Sequence, residues 1–275
     1  MASGCALGSR NQVEKAPYLD RRDSFATTLL FSEPAPQTWE VETPPPSVEE
    51  VFYGSGDLSL KAWVYIPEDQ PGQKPALIYY HGGFAFSASE MKVCQPFMDA
   101  GYVVMFPMLR GENGNPGDFE LFWGEVDDAN AAAKWLADQP YVDRSRIYAF
   151  GHSIGGGISA LLSLMDEVPI LHSGSSGGLY TSRVFESWNS YGYVPFDIEI
   201  DQEIELRLLL GNTQHMQRSH YAYIGRQDSF AQVKKLVQKE GGEESLLSVI
   251  PVDGDHFSSL DAAVLQYLER TENPE

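Results

Sequence analysis

Short, nearly unbroken apolar runs alternate along this chain with longer segments whose apolar positions recur every three or four residues. The first kind of run suits strands buried on both faces of a sheet, the second suits helices that cover such a sheet. Residues 51–53 and 58–66 flank Gly54-Ser55-Gly56-Asp57 and predict a hairpin. Further strands are predicted at 76–80, 102–107, 147–150, 168–172, 221–224 and 246–252. Helices are expected to close at 97–101, to run over 158–165, 230–240 and 260–269, and to use Phe122, Val126, Ala129, Ala133, Leu136 and Ala137 as one face, stopped at Pro140. Strand and helix in this rhythm imply a mostly parallel sheet with helices on both faces.

Two stretches break the pattern. Residues 1–46 are polar and punctuated by Pro34, Pro36 and Pro44-Pro45-Pro46, so an irregular surface extension is expected, with room for a short strand at 25–31. The remainder, 47–275, reads as one domain with an insertion at about 173–218. That insertion is rich in aromatic residues, among them Tyr180, Phe185, Trp188, Tyr191, Tyr193 and Phe196. Placed between two strands, it would hang over one edge of the sheet as a short lid, with ordinary packing as its simpler role.

Composition narrows the partners. Of 275 residues, 43% are hydrophobic, enough for a sizeable core, and the formal net charge is −20. That charge disfavours nucleic acid and anionic membrane surfaces, which need a basic footprint. Cys5 and Cys94 form neither a disulfide framework nor a metal-ligand spacing, so no metal and no cofactor is expected. No apolar run is long enough for a membrane span, and the first residues lack a secretory leader. The expectation is a cytoplasmic protein, with lipid anchoring through Cys5 after removal of a leader as the alternative.

Chemistry concentrates at one place. The run 147–150 leads directly into Gly151-His152-Ser153-Ile154-Gly155, a G-x-S-x-G pattern, and a small apolar segment follows. A serine on a strand-to-helix turn stands clear of the sheet edge, with a helix N-terminus behind it to favour negative charge. Serine needs a neighbouring base, itself oriented by an acid, in the chain order Ser, acid, His. His81, His152, His172, His215 and His220 all come too early for that order, which leaves His256. Asp228, directly after the strand at 221–224, is the expected acid, with Asp253 and Asp255 as alternatives near the histidine. For the oxyanion hole, the N–H of Ile154 is one expected donor, and the N–H of Gly83 or Phe84 in His81-Gly82-Gly83-Phe84 is the other. Trp188, Tyr191 and Phe84 are the expected substrate-binding aromatics.

Taken together, Tyr80-His81-Gly82-Gly83-Phe84, Arg110-Gly111-Glu112-Asn113-Gly114, Gly124-Glu125-Val126-Asp127-Asp128, the 142–156 stretch around Ser153, Gly225-Arg226-Gln227-Asp228 and Asp255-His256 resemble the catalytic domain of the prolyl oligopeptidase and acylaminoacyl-peptidase superfamily over about residues 48–270. The resemblance implies an α/β-hydrolase fold with a mostly parallel eight-stranded sheet, and a serine hydrolase using Ser153, Asp228 and His256. It also implies that Asp127 and Asp128 form a structural pair at a helix start and that the Arg110 loop lies beside the active site. Peptidases of that superfamily carry a large N-terminal β-propeller, for which the 46 residues before the domain are too few, and the loop after Arg110 lacks the three-glycine run of prolyl oligopeptidase itself. The expectation is therefore a stand-alone carboxylesterase-like enzyme acting on a small-molecule ester. A peptidase acting on short peptides and a non-catalytic binding protein on the same fold are the alternatives, and a homo-oligomer is left open.

Overall fold

The computed structural model describes residues 16–68, 72–229, 235–236 and 245–273. Eight strands form one sheet: β1 (Val48–Ser55), β2 (Leu58–Tyr65), β3 (Lys74–Tyr80), β4 (Val103–Pro107), β5 (Val142–His152), β6 (His172–Ser176), β7 (His220–Gly225) and β8 (Leu247–Val252). Their order is β1-β2-β4-β3-β5-β6-β7-β8. The β1–β2 hairpin and the β2–β4 pair are antiparallel, and every other pair is parallel.

Alternation along the central strands builds a core on each face, because successive side chains point to opposite sides. On one face Ala76, Ile78 and Tyr80 of β3 pack with Ile147 and Ala149 of β5. Against them lie α1 (Tyr18–Asp23), α3 (Gly124–Ala137) and α4 (Ile154–Leu161). On the other face Leu77, Tyr79, Tyr148 and Phe150 pack against α2 (Gln95–Asp99), the 3-10 turn before it (Ala88–Cys94) and α7 (Leu260–Glu272). Two further helices, α5 (Arg183–Asn189) and α6 (Asp201–Glu205), lie in the connection between β6 and β7.

The sixth strand departs from expectation. It was predicted at 168–172 from its apolar letters, yet the ladder starts at His172 and runs through Ser173-Gly174-Ser175-Ser176. The reason is tertiary. Tyr267 of α7 presses so close that a Cβ on Gly174 would lie 2.6 Å from its ring, so only small residues fit there. Two of the strand's hydroxyls find partners inside, Ser173 Oγ at 2.7 Å from His220 Nδ1 and Ser175 Oγ at 3.0 Å from His220 Nε2, while Ser159 Oγ of α4 donates to the Gly174 carbonyl at 2.9 Å; Ser176 Oγ is buried without a partner among the described residues. The connection that follows therefore starts at 177, not 173. The predicted helix at 230–240 falls outside the described residues apart from 235–236, and Cys5 lies outside them as well.

The residues before β1 are more than a surface strand of irregular chain. Tyr18 is buried, and its hydroxyl donates to the Leu206 carbonyl at 2.8 Å. In place of a strand at 25–31 there is a single antiparallel bridge, Leu29 to Phe196. Thr27 Oγ1 and Thr28 N–H both donate to the Glu203 carboxylate, which also pairs with the buried Arg207. The N-terminal segment is thus pinned onto the β6–β7 connection.

Candidate active site

Strand β5 ends at His152, and α4 begins at Ile154, so Ser153 alone makes the turn. Its φ of 53° and ψ of −113° place an L-residue in left-handed territory, a strained conformation held by its surroundings. Packing enforces it. A Cβ on Gly155 would sit 2.1 Å from the Tyr80 carbonyl oxygen, and one on Gly151 would sit 2.1 Å from that of Gly155. Ser153 N–H donates to Ser176 O and Gly155 N–H to His81 O, which fixes the turn between β3 and β6. No helix of the described residues is long and apolar enough to cross a membrane, and no group of three metal-ligating side chains gathers among them.

The predicted base and acid meet across the sheet edge. Asp228 follows β7, is buried, and accepts a hydrogen bond from His256 Nδ1 at 3.0 Å. With the proton on Nδ1, Nε2 carries the lone pair. The two alternative acids are engaged elsewhere. Asp255 is exposed and accepts from Phe257 N–H, Ser258 N–H and Ser258 Oγ, so it shapes the loop. Asp253 points to solvent and pairs with Arg226. Room for the imidazole depends on Gly177, which has φ +58°: a Cβ there would lie 2.7 Å from His256 Nδ1 and 3.2 Å from Asp228 Oδ2. His152, the variable residue of the turn, stacks at an angle on His256 with ring centroids 5.0 Å apart. Burial, with His256 as a lesser cause, lowers the His152 pKa to about 4, so this ring stays neutral at physiological pH.

The loop after β3 sorts its own donors. Gly82 N–H donates to Glu90 Oε2 at 3.3 Å, and Phe84 N–H donates to Gln37 Oε1 at 3.0 Å. Between them, Gly83 N–H has no hydrogen-bond partner among the described residues, and neither has Ile154 N–H at the start of α4. Of the two expected second donors, Gly83 is thus the one that faces no competing acceptor.

Below the loop lies a buried ion pair. His81 Nε2 donates to Glu112 Oε2 at 3.1 Å, and His81 Nδ1 donates to the Gly82 carbonyl at 3.1 Å. Burial works against a charged ring here, but the adjacent Glu112 carboxylate outweighs it and lifts the His81 pKa to about 9. The Arg110 loop is anchored at the start of α3, where Arg110 makes a two-pronged contact with Asp128 (2.9 and 2.8 Å), while Asp127 pairs with Arg22 at 2.8 Å.

The expected substrate aromatics join in one run of ring contacts, since Phe84 packs on Trp188 and on Tyr193, which stacks on Tyr191. Phe84 packs edge-on against Trp188 at 5.2 Å and against Phe119 at 5.2 Å. Tyr191 stacks on Tyr193 and is 69% exposed. A cavity of about 420 Å³ opens elsewhere, beside Ser153, lined by Tyr79, Gly82, Gly83, Glu90, Val93, His152, Phe257 and Leu260. Sequence reading missed Gln37, Tyr79, Glu90 and Glu112. Glu112 lay inside a motif already singled out, but the others sit in segments with no pattern that marks them.

Comparison with known proteins adds context. The sequence matches the family described as X-Pro dipeptidyl-peptidase (S15 family) over residues 55–244. YtmA of Bacillus subtilis (strain 168), named an uncharacterized peptidase, is 26% identical over 193 residues, covering 68% of this chain and 67% of that protein. Acylaminoacyl peptidase of Pyrococcus horikoshii superposes with a TM-score of 0.61 at 18% identity, over 82% of this chain and 40% of that one, so this chain spans less than half of that peptidase. An esterase of Pyrococcus furiosus superposes with a TM-score of 0.64 at 19% identity, over 89% of this chain and 97% of the other. The fold shared with both is that of the α/β-hydrolases.

Proposed function

The chain belongs to the X-Pro dipeptidyl-peptidase (S15) family and is a serine hydrolase of the α/β fold; from that premise we propose that Ser153, His256 and Asp228 are its catalytic triad. His256 Nε2 takes the proton of Ser153 Oγ as the hydroxyl attacks a carboxylic carbonyl. Asp228 holds Nδ1–H and stabilises the imidazolium. Ile154 and Gly83 N–H receive the oxyanion. His256 then protonates the leaving group, and a water activated by the same ring releases the acid from Ser153. The observation that carries this reading is the 3.0 Å Asp228–His256 hydrogen bond beside a serine held at φ 53°.

The substrate we propose is a small carboxylic ester, because the cavity beside Ser153, at about 420 Å³, suits a compact leaving group. The match to a dipeptidyl-peptidase family favours a second reading, hydrolysis of short peptides. A fluorophosphonate probe and a panel of acyl p-nitrophenyl esters set against aminoacyl and prolyl amides test both. Wild type should be labelled and should turn over esters faster than amides, and Ser153→Ala should lose labelling and turnover together. Unchanged turnover in Ser153→Ala would remove the triad. Amides as the better substrates would move the assignment to a peptidase.

A further inference from the structure

The second oxyanion donor owes its aim to other residues. Gly83 lines the cavity beside Ser153, and its loop adjoins the nucleophile. Gly155 N–H donates to the His81 carbonyl at 3.1 Å, and a Cβ on Gly82 would lie 3.7 Å from Ser153 Cβ. Glycine adopts many backbone conformations, so Gly82 and Gly83 in succession do not aim an N–H by themselves. Their peptide planes need holding from outside. All described peptides are trans, and in a trans peptide the carbonyl and the following N–H point in opposite directions. His81 Nδ1 donates to the Gly82 carbonyl at 3.1 Å, which turns Gly83 N–H away from His81.

The next peptide plane is held by Gln37. Its Oε1 accepts from Phe84 N–H at 3.0 Å. That oxygen also fills the space of a side chain at 83: Gly83 has φ +72°, and a Cβ there would lie 2.7 Å from Gln37 Oε1. Gly83 therefore stands between two clamped planes, and its lack of a side chain lets Gln37 come so close. Gln37 itself is exposed, yet the chain that carries it is tied down on both sides. Before it, Ala35 N–H donates to the Gly111 carbonyl at 3.0 Å, and Phe119 N–H donates to the Glu33 carbonyl at 2.9 Å. After it, Trp39 packs on Gly114, where a Cβ would lie 3.0 Å from the indole, and the Glu42 carboxylate accepts from Ala88 N–H at 2.6 Å. Those ties keep the Gln37 side chain over one loop N–H.

We propose that Gln37 is a positioning residue for the oxyanion hole: by holding Phe84 N–H it fixes the backbone of Gly83, so that Gly83 N–H meets the oxyanion formed at Ser153. The proposal rests on the triad and on Gly83 as a donor, as read above. In the step it serves, Ser153 Oγ bonds to the carbonyl carbon, the π pair of the carbonyl moves onto its oxygen, and the hydroxyl proton passes to His256. Gln37 takes no part in those bond changes. Its loss leaves ground-state binding alone and costs stabilisation of the developing oxyanion, a cost that appears in kcat rather than in KM. The segment before β1 thereby belongs to the active site and does more than cover it.

Two measurements on the full chain test this. Gln37→Met keeps the length of the side chain and removes the acceptor. With p-nitrophenyl butyrate it should lower kcat by about tenfold or more, while KM stays within about twofold of wild type. Affinity for 1,1,1-trifluoroheptan-2-one, whose adduct with Ser153 carries the oxyanion, should fall by a similar factor. Because the lost hydrogen bond is exposed, Tm should stay within about 2 °C. The second measurement reads the donor itself, by NMR on protein labelled with nitrogen-15 at glycine and phenylalanine. On adding the ketone, the Gly83 amide proton should move downfield in wild type and less so in Gln37→Met, with little change at Phe84. Unchanged kcat and ketone affinity in Gln37→Met overturn the proposal, and so does a raised KM with kcat intact. A kcat loss that comes with a Tm fall of more than about 5 °C marks general loosening and overturns it too, as does a ketone adduct that shifts Phe84 in place of Gly83. Failure of a fluorophosphonate to label wild type would strike the triad and this proposal together. Labelling that persists beside an unchanged kcat in Gln37→Met removes the proposal alone.

Discussion

The most constrained groups at the residue scale are a serine in a left-handed backbone conformation and a histidine held charged beneath it. The G-x-S-x-G pattern picked out Ser153, and chain order then picked out His256 and preferred Asp228, since an acid after β7 and a histidine after β8 reach one loop cluster. Rejecting Asp255 took coordinates, because its three hydrogen bonds are all to the loop that follows it. Glu112 shows the converse. Nothing in its neighbourhood along the chain reveals that it faces His81, whose pKa it lifts from 6.5 to about 9. A base with a raised folded-state pKa contributes stability that is full below its unfolded value and disappears as pH climbs through the folded value. Wild type should therefore lose about 2–3 kcal/mol between pH 6.5 and 9 from this group. In Glu112→Gln that slope should flatten, with lower stability at pH 6.5. Urea unfolding at the two pH values measures both, and parallel losses in the two proteins would dismiss the pair as the cause.

Periodicity read the elements well wherever the sheet buries apolar side chains. It failed at β6, whose Ser-Gly-Ser-Ser letters resemble a turn until Tyr267 is seen to fill the space a side chain would take. It was also silent about how α3 starts. There Leu121 and Phe122 both adopt positive φ, and the Glu125 carboxylate gathers three backbone N–H groups, from Glu120, Leu121 and Trp123. A single buried acid thus replaces an ordinary N-cap and supports the turn next to Arg110. Glu125→Gln keeps one acceptor oxygen but aims an amide N–H at a backbone donor, so it should cost about 1–3 kcal/mol. Thermal or urea unfolding reads this directly, and a change within a few tenths of a kcal/mol would deny Glu125 that role.

Over the whole molecule, charge and the N-terminal segment matter most. The formal charge of −20 leaves acidic side chains on the surface in large excess, and their mutual repulsion opposes compactness. Screening relieves it: raising NaCl from about 10 mM to about 200 mM shrinks the reach of each charge from about 30 Å to under 10 Å. Tm should rise with salt and level off near the upper concentration, in a scan at fixed pH. A flat or falling Tm would mean that the acidic groups are locally neutralised. The segment before β1 reaches the site as well. It anchors on Glu203 and Arg207 and delivers Gln37 to the Phe84 N–H, so residues far from Ser153 in sequence settle which loop donor remains open.

By itself the amino-acid sequence determined the alternation of strand and helix, the two-faced core and the chain order of serine, acid and histidine. These follow from local periodicity and from the few residue types that a sharp turn or a proton relay accepts. Only the tertiary structure decided where β6 lies, which carboxylate meets His256, that Gly83 N–H meets no acceptor among the described residues, and that Glu90, Tyr79 and His152 line one cavity. Each of those depends on contacts between segments distant along the chain, and no local pattern encodes the company a side chain keeps once the sheet has closed.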